Sequence, residues 1–146
     1  MYYPERMKDA PAVIHYAGNE FVVGIGPSGH AQTIDLDGER SAASSPLELL
    51  LIALGACTSA DVISVLHKKR QRVSDYRVEV RGARREEHPR SFRRIEVRHI
   101  FRGRNISQDA VIKAIDLSTD KYCSVIATVR PTAEVVTSFE IIEDAE

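Results

Sequence analysis

The chain has 146 residues, the size of one domain. At 43% hydrophobic and 28% charged it is too apolar for a disordered chain, and it is large enough to bury a core without disulfide staples. Lys and Arg number 20 against 21 Asp and Glu, so net charge gives no support to general polyanion binding; five Tyr, four Phe and no Trp make a poor stacking platform for single strands.

The longest strictly apolar run, residues 49–57, falls well short of the roughly 20 residues a bilayer span needs. Residues 1–6 lack the charged and apolar regions of a signal peptide. A cytoplasmic protein without a membrane partner is expected, folded as a single domain over 1–146 with its ordered core at about 12–143. Residues 13–16 predict a short strand, Ala17-Gly18-Asn19 a turn, and 21–25 a second strand. Gly26-Pro27-Ser28-Gly29 is a strong turn signal, 33–36 a third strand, and 37–45 a polar loop.

Ser45-Pro46-Leu47-Glu48 is a capping box with Pro at the first helical position. The Ser hydroxyl can accept a free backbone N–H, and the Glu can return a bond to the Ser N–H. The helix it opens runs without Pro to about residue 70, ending in Lys68-Lys69-Arg70, where cations suit a helix C-terminus. Its first half is apolar on all sides, the pattern of a helix covered all round. A small domain can rarely wrap one helix alone, so a second copy of the chain is expected against it.

Two strands follow, around 76–81 and 94–99, in which apolar and charged residues alternate; the charged stretch 84–90 joins them as a half-buried antiparallel hairpin. Ser107 can cap a helix over 108–117, and Ser118 or Thr119 a second over 120–129, stopped by Pro131. Residues 135–142 read as a last strand. Strands, long helix, strands, helices and strand in that order make an α+β domain.

Two cysteines, Cys57 and Cys123, are too few for a secreted disulfide framework and form no Cys-x-x-Cys pair. In a reducing compartment they are either inert core residues or a redox pair. Cys57, on the apolar helix, taken alone reads as a small hydrophobe. Cys123 falls in or just beyond the first turn of its predicted helix, where the macrodipole would favour a thiolate. Together they suit one chemistry. A thiolate cleaves a peroxide O–O bond and becomes a sulfenic acid, and a second thiol condenses with it before over-oxidation. That scheme needs the two Cα atoms roughly 4.4–6.8 Å apart, and neither a metal nor an organic cofactor.

The block from Ser45 through Gly55-Ala56-Cys57-Thr58 to Val62 resembles the central-helix signature of the OsmC/Ohr family, and Lys121-Tyr122-Cys123-Ser124-Val125 resembles its second cysteine motif. The order of elements agrees along nearly the whole chain. Arg85-Glu86-Glu87-His88-Pro89-Arg90 and Asp116-Leu117-Ser118 resemble the YhfA-like branch. The resemblance implies an intertwined homodimer, with antiparallel sheets wrapped around paired central helices. It implies a thiol peroxidase acting on organic hydroperoxides, with Cys57 peroxidatic, Cys123 resolving, and a dithiol or lipoyl reductant. It further implies an Arg that holds the thiolate and a Glu that holds the Arg. The family's Glu follows the helix Pro directly, where this chain has Leu47; Glu48 lies one residue on, turned by about 100°. Glu48 is thus a candidate for that role or only the capping partner. Arg40, in the loop before the helix, is the candidate cation or a solvated loop charge. A relative that binds a small molecule or thiol without catalysis, its activating pair lost, is the alternative reading.

No two of the five histidines stand at helical ligand spacing, so no metal site is expected. Gly24-Ile25-Gly26-Pro27-Ser28-Gly29 precedes a strand and carries no Lys, unlike a phosphate loop. Twelve of the fifteen arginines fall between 70 and 104. Nucleic-acid binding through that hairpin is a third reading; a solvated face, with Glu79 or Glu96 pairing across strands, is the simpler one.

Overall fold

The computed structural model describes residue 5 and residues 9–145, so most of the N-terminal stretch read for a signal sequence lies outside it. The chain packs as two compact units, Met1–Leu50 and Leu51–Glu146.

The first unit is a three-stranded antiparallel meander, β1 (Val13–Gly18), β2 (Phe21–Ile25) and β3 (Ala31–Asp35), in that spatial order. Asn19 and Glu20, both at positive φ, make the tight β1–β2 turn, with backbone twist suited to adjoining strands. The loop after β3 is more ordered than its polar composition suggests. The buried Asp35 carboxylate accepts backbone N–H bonds from Asp37 (2.9 Å) and Ala42 (2.9 Å), folding the loop back on the strand end.

Helix α1 (Pro46–Lys68) starts in the first unit and runs through the second. The capping box forms as expected: the Glu48 N–H donates to Ser45 Oγ (3.3 Å) and the Ser45 N–H to Glu48 Oε2 (2.6 Å). One face of α1 is buried, through Leu54, Gly55, Cys57, Thr58, Val62 and Leu66. The helix is not covered all round within one chain: Ile52, Ala53 and Ala56 are exposed. By length and composition α1 could also cross a membrane, a test that the core helix of a soluble protein passes equally. The nine-residue apolar run understated it, because Thr58 and Ser59 interrupt the run without making the helix polar.

The second unit holds a three-stranded sheet in the order β4 (Arg72–Arg84), β5 (Phe92–Arg104), β6 (Glu134–Glu143). β4 and β5 form the expected antiparallel hairpin, with Val80 opposite Val97 and Tyr76 opposite Phe101. Alternation works as the sequence implies: along β5, Ile95, Val97, His99 and Phe101 are buried while Glu96, Arg98 and Arg102 are exposed. Gly82 leaves room for the Phe92 ring, which would lie 2.2 Å from an added Cβ. β6 pairs with β5 in parallel, so this sheet is mixed, not antiparallel as expected. The intervening helices carry the chain back to the start of β5, and strand direction cannot be read from local alternation.

Helix α2 (Gln108–Leu117) is capped by Ser107, whose Oγ accepts from the Ala110 N–H (3.3 Å). Val111, Ala114 and Ile115 pack with Val62, Leu66 and Phe101 to form the core of this unit. Complete burial of a Leu or Val side chain contributes about 1.5–3 kcal/mol, so this cluster fixes α2 and the latter half of α1. The expected helix over 120–129 is replaced by two pieces. α2 widens into a π-helical turn, Ser118–Tyr122, and a six-residue helix, α3 (Ser124–Val129), follows with Cys123 as its N-cap. Ser118 is therefore an internal helical residue rather than a cap, its N–H bonded back to the Ala114 and Ile115 carbonyls.

Several hairpin arginines are paired: Arg94 with Glu96 (3.1 Å) and Glu134 (3.0 Å), Arg98 with Glu79 and Glu140, and Arg77 with Glu79 (3.2 Å).

Candidate active site

Cys57 and Cys123 lie 66 positions apart in sequence and come together in the second unit. Their Sγ atoms and a carboxylate oxygen of Asp61 all lie within 4.8 Å of one another. Both cysteines are reduced and buried, at 4% and 3% exposure; Asp61 is half-buried. Cys57 and Asp61 stand four residues apart on α1, hence on one face and one turn apart. Cys123 reaches them from the α3 cap.

The polar wall behind them is continuous. Ser118 Oγ donates to Asp61 Oδ2 (3.0 Å) and shares a 2.8 Å hydrogen bond with Thr58 Oγ1. Thr58 and Ser118 are completely buried. A buried hydroxyl left without a partner is costly, so each of these fixes the other's rotamer. The π-turn has a clear local effect, since π-bulges are frequent at functional sites and this one carries Ser118.

Burial works against the thiolate expected at Cys123. Its Sγ accepts from the Ile126 N–H (3.4 Å), as a cap should, but burial pushes the thiol up to about 11, and the adjacent Cys57 sulfur adds to the rise. Desolvation outweighs the backbone N–H groups of so short a helix and favours the protonated thiol. Such a thiol can condense with a sulfenic acid but makes a poor first attacker on a peroxide.

Arg40 and Glu48 belong to the first unit, and each has local partners there. Glu48 is the capping partner of Ser45, whose N–H holds its carboxyl below the ordinary carboxylate value. Arg40 makes a two-pronged pair with Asp35, Nε to Oδ2 (3.0 Å) and Nη2 to Oδ1 (2.7 Å). Nη2 also donates to the Asn19 carbonyl (2.8 Å), and the guanidinium lies 3.9 Å over the Phe21 ring. The hydrogen bonds from Arg40 hold the Asp35 carboxyl well below the usual carboxylate range. A depressed folded value stabilises the fold above the unfolded value, near pH 4, and that contribution is lost as pH falls below it. Arg40→Ala is expected to lower Tm at neutral pH by on the order of 5 °C and to flatten the acid limb of the stability profile. Thermal melts between pH 2 and 7 check both; an unchanged melt at pH 7 contradicts the structural part given to this pair.

Sequence reasoning found the two cysteines and missed Asp61, Thr58 and Ser118. The legible signal was Cys57-x-x-x-Asp61, an acid one helical turn after a cysteine inside an apolar stretch. Attention to histidine spacing passed over it.

The family model for OsmC-like protein matches residues 37–138, which include the long helix and both cysteines. The chain belongs to the OsmC-like family. Protein YhfA of Escherichia coli K12 is 40% identical over 119 residues, covering 81% of this chain and 89% of YhfA. Among solved structures, a hypothetical protein of Aquifex aeolicus VF5 superposes with a TM-score of 0.83 at 30% identity, covering 94% of this chain and 99% of the other. An organic hydroperoxide resistance protein OsmC from Legionella pneumophila superposes with a TM-score of 0.65 at 14% identity over 90% and 98% of the two chains. That last likeness is one of fold. The OsmC-like fold expected from the resemblance is the fold observed, an α+β arrangement with two small sheets and helices.

Proposed function

We propose that this OsmC-like protein is a cysteine-based peroxidase that reduces organic hydroperoxides in oxidative-stress defence. The single observation that carries the reading is the convergence of two buried, reduced sulfurs and a carboxylate within 4.8 Å. The thiolate of Cys57 attacks the peroxide ROOH; the O–O bond breaks, ROH leaves with one proton, and Cys57 becomes a sulfenic acid. The Cys123 thiol then condenses with it, forming the Cys57–Cys123 disulfide and releasing water. An external dithiol returns the pair to two thiols and is itself oxidised to a disulfide. Asp61 stands where it can take the proton that Cys123 gives up as its sulfur forms the new bond. The preference for an alkyl or aryl hydroperoxide over hydrogen peroxide belongs to the proposal and rests on the likeness to the family. No resident cofactor enters the scheme.

Arg40 is held by Asp35 and Glu48 by Ser45 in the first unit, so the scheme rests on Cys57, Cys123 and Asp61 of the second. Consumption of cumene hydroperoxide and of hydrogen peroxide under a dithiol tests the reading. Faster loss of the organic peroxide supports it; loss of neither above the protein-free rate refutes it.

The working unit is a homodimer in this proposal. Ile52 and Ala56 on α1, with Leu51, Gly55, Val78 and Val80, line a largely apolar groove in the second unit, and Ile52 is 57% exposed. A second copy laying the same helix face there would cover it, and the exposed Ala56 is small enough for close approach. Ala56→Glu, which would bury an unpaired carboxylate in such an interface, is expected to give monomer or insoluble chain. Sedimentation at micromolar concentration decides it: a folded, monomeric wild type would contradict the dimer.

A further inference from the structure

We infer that Cys57, Asp61 and Cys123 form a binding site for a thiophilic divalent cation of the Zn²⁺ class. It uses the sulfurs of the redox pair but does not depend on the peroxidase reading. A tetrahedral site with metal–sulfur bonds of about 2.3 Å places its two sulfurs roughly 3.8 Å apart. The three donor atoms here already lie within 4.8 Å of one another, so closing on an ion takes a shift of about an ångström or less. The donor set, two thiolates and a carboxylate, suits Zn²⁺, Co²⁺ or Cd²⁺ and excludes Mg²⁺ and Ca²⁺, which take oxygen ligands. Binding exchanges two thiol protons, released to solvent, for two metal–sulfur bonds, with no change of oxidation state.

Three features of the surroundings fit a ligand set. Cys57 and Asp61 sit one turn apart on a rigid helix, the spacing by which paired ligands on one helix face share an ion. Asp61 Oδ2 is oriented by the Ser118 hydroxyl, itself braced by Thr58, as carboxylates that bind metals are commonly held by a neighbouring donor. Asp61 is half-buried while both cysteines are buried, so the carboxylate marks the side from which an ion enters. Three protein ligands leave a fourth position for water or a small thiol. The bound ion would hold both sulfurs as unreactive metal thiolates, so peroxide reduction and metal occupancy would exclude each other.

The test is anaerobic titration of the fully reduced protein with Co²⁺, read by its thiolate-to-metal charge-transfer band. Expected is saturation at one Co²⁺ per chain, loss of both thiols to a thiol reagent, and displacement by one equivalent of Zn²⁺. Cys57→Ser and Cys123→Ser should each weaken binding at least a hundredfold, and Asp61→Asn about tenfold or more, with nearly unchanged thermal melts of the metal-free proteins. Ser118→Ala, which leaves all three ligands in place, should weaken it less than Asp61→Asn. No charge-transfer band in the wild type, or a band of equal affinity in Asp61→Asn, would overturn the site. Peroxide consumption is measured separately with a chelator present, so failure of the peroxidase and failure of the metal site are read independently.

Discussion

Replacing Cys57 by Ser is expected to abolish hydroperoxide consumption, by roughly a thousandfold or more, while leaving the fold intact. The serine hydroxyl is nearly isosteric with the thiol but is not ionised at neutral pH and forms no stable product of oxidation analogous to a sulfenic acid. Cys57 lies on the buried face of α1, where a serine hydroxyl can donate to the carbonyl one turn back in the same helix, so thermal melts should fall only slightly. The same assay separates the two cysteines. Without added dithiol, Cys123→Ser should reduce one equivalent of peroxide, consume a second as Cys57 passes from the sulfenic to the sulfinic acid for want of a partner, and then stall. A Cys57→Ser protein that consumes cumene hydroperoxide at the wild-type rate would remove this residue from the chemistry.

Acidification from pH 7 to pH 4 is expected to cost the fold about 3 kcal/mol through His99 alone. His99 is completely buried in β5, where its Nδ1 shares a 2.7 Å hydrogen bond with the Tyr76 hydroxyl and the Tyr76 and Phe101 rings stack 4.7 Å apart beside it. Its Nε2 has no hydrogen-bond partner among the described residues, so a second ring proton would be buried without an acceptor. Burial pushes its pKa down from the usual 6.5 to about 4. The unfolded chain therefore binds a proton below about pH 6.5 that the folded chain refuses until about pH 4. Stability is full above the first value and falls as pH drops towards the second, by about 1.4 kcal/mol per unit. Urea midpoints measured at pH 7 and pH 4.5 read the slope. His99→Phe, which removes the titrating ring, should flatten it; an equally steep profile in that variant would assign the acid sensitivity to other groups.

Local signals in the sequence carried much of the fold. Ser45 and Glu48 start α1 with a capping box that any reader of the chain can see, and Ser107 starts α2 in the same way. The alternation of Arg and Val through β4 and β5 set which side of that hairpin faces the core. What stayed hidden was non-local. The parallel pairing of β6 depends on how α2 and α3 route the chain, which no residue in β6 announces. Ser118 looked like a cap because Ser before a polar turn usually is one; α2 instead widens through it and hands its hydroxyl to Asp61. Arg40 looked like a free loop charge because its partner, Asp35, is buried only once the loop folds back on β3.

The candidate site divides the same way. The cysteines were legible as a pair because only two exist and each sits in a motif that resembles the family's. Asp61 was not, because an acid in the second half of an amphipathic helix reads as solvated. Its neighbourhood with both sulfurs comes from the packing of α2 and its π-turn on α1, where Val111, Ala114 and Ile115 meet Val62 and Leu66. The thiolate expected at Cys123 is opposed by burial. A helix of six residues offers two or three N–H groups, and the loss of water around a sulfur with 3% exposure outweighs them.

The central claim is that peroxide oxidises Cys57 and that Cys123 captures the product. It is tested most directly by treating the reduced protein, in the presence of a chelator, with one equivalent of cumene hydroperoxide and following intact mass and disulfide-mapped peptides. A loss of two hydrogens and an intrachain link between the Cys57 and Cys123 peptides are expected. An unchanged mass, or oxygen gained on Cys57 with Cys123 left as a free thiol, would contradict it.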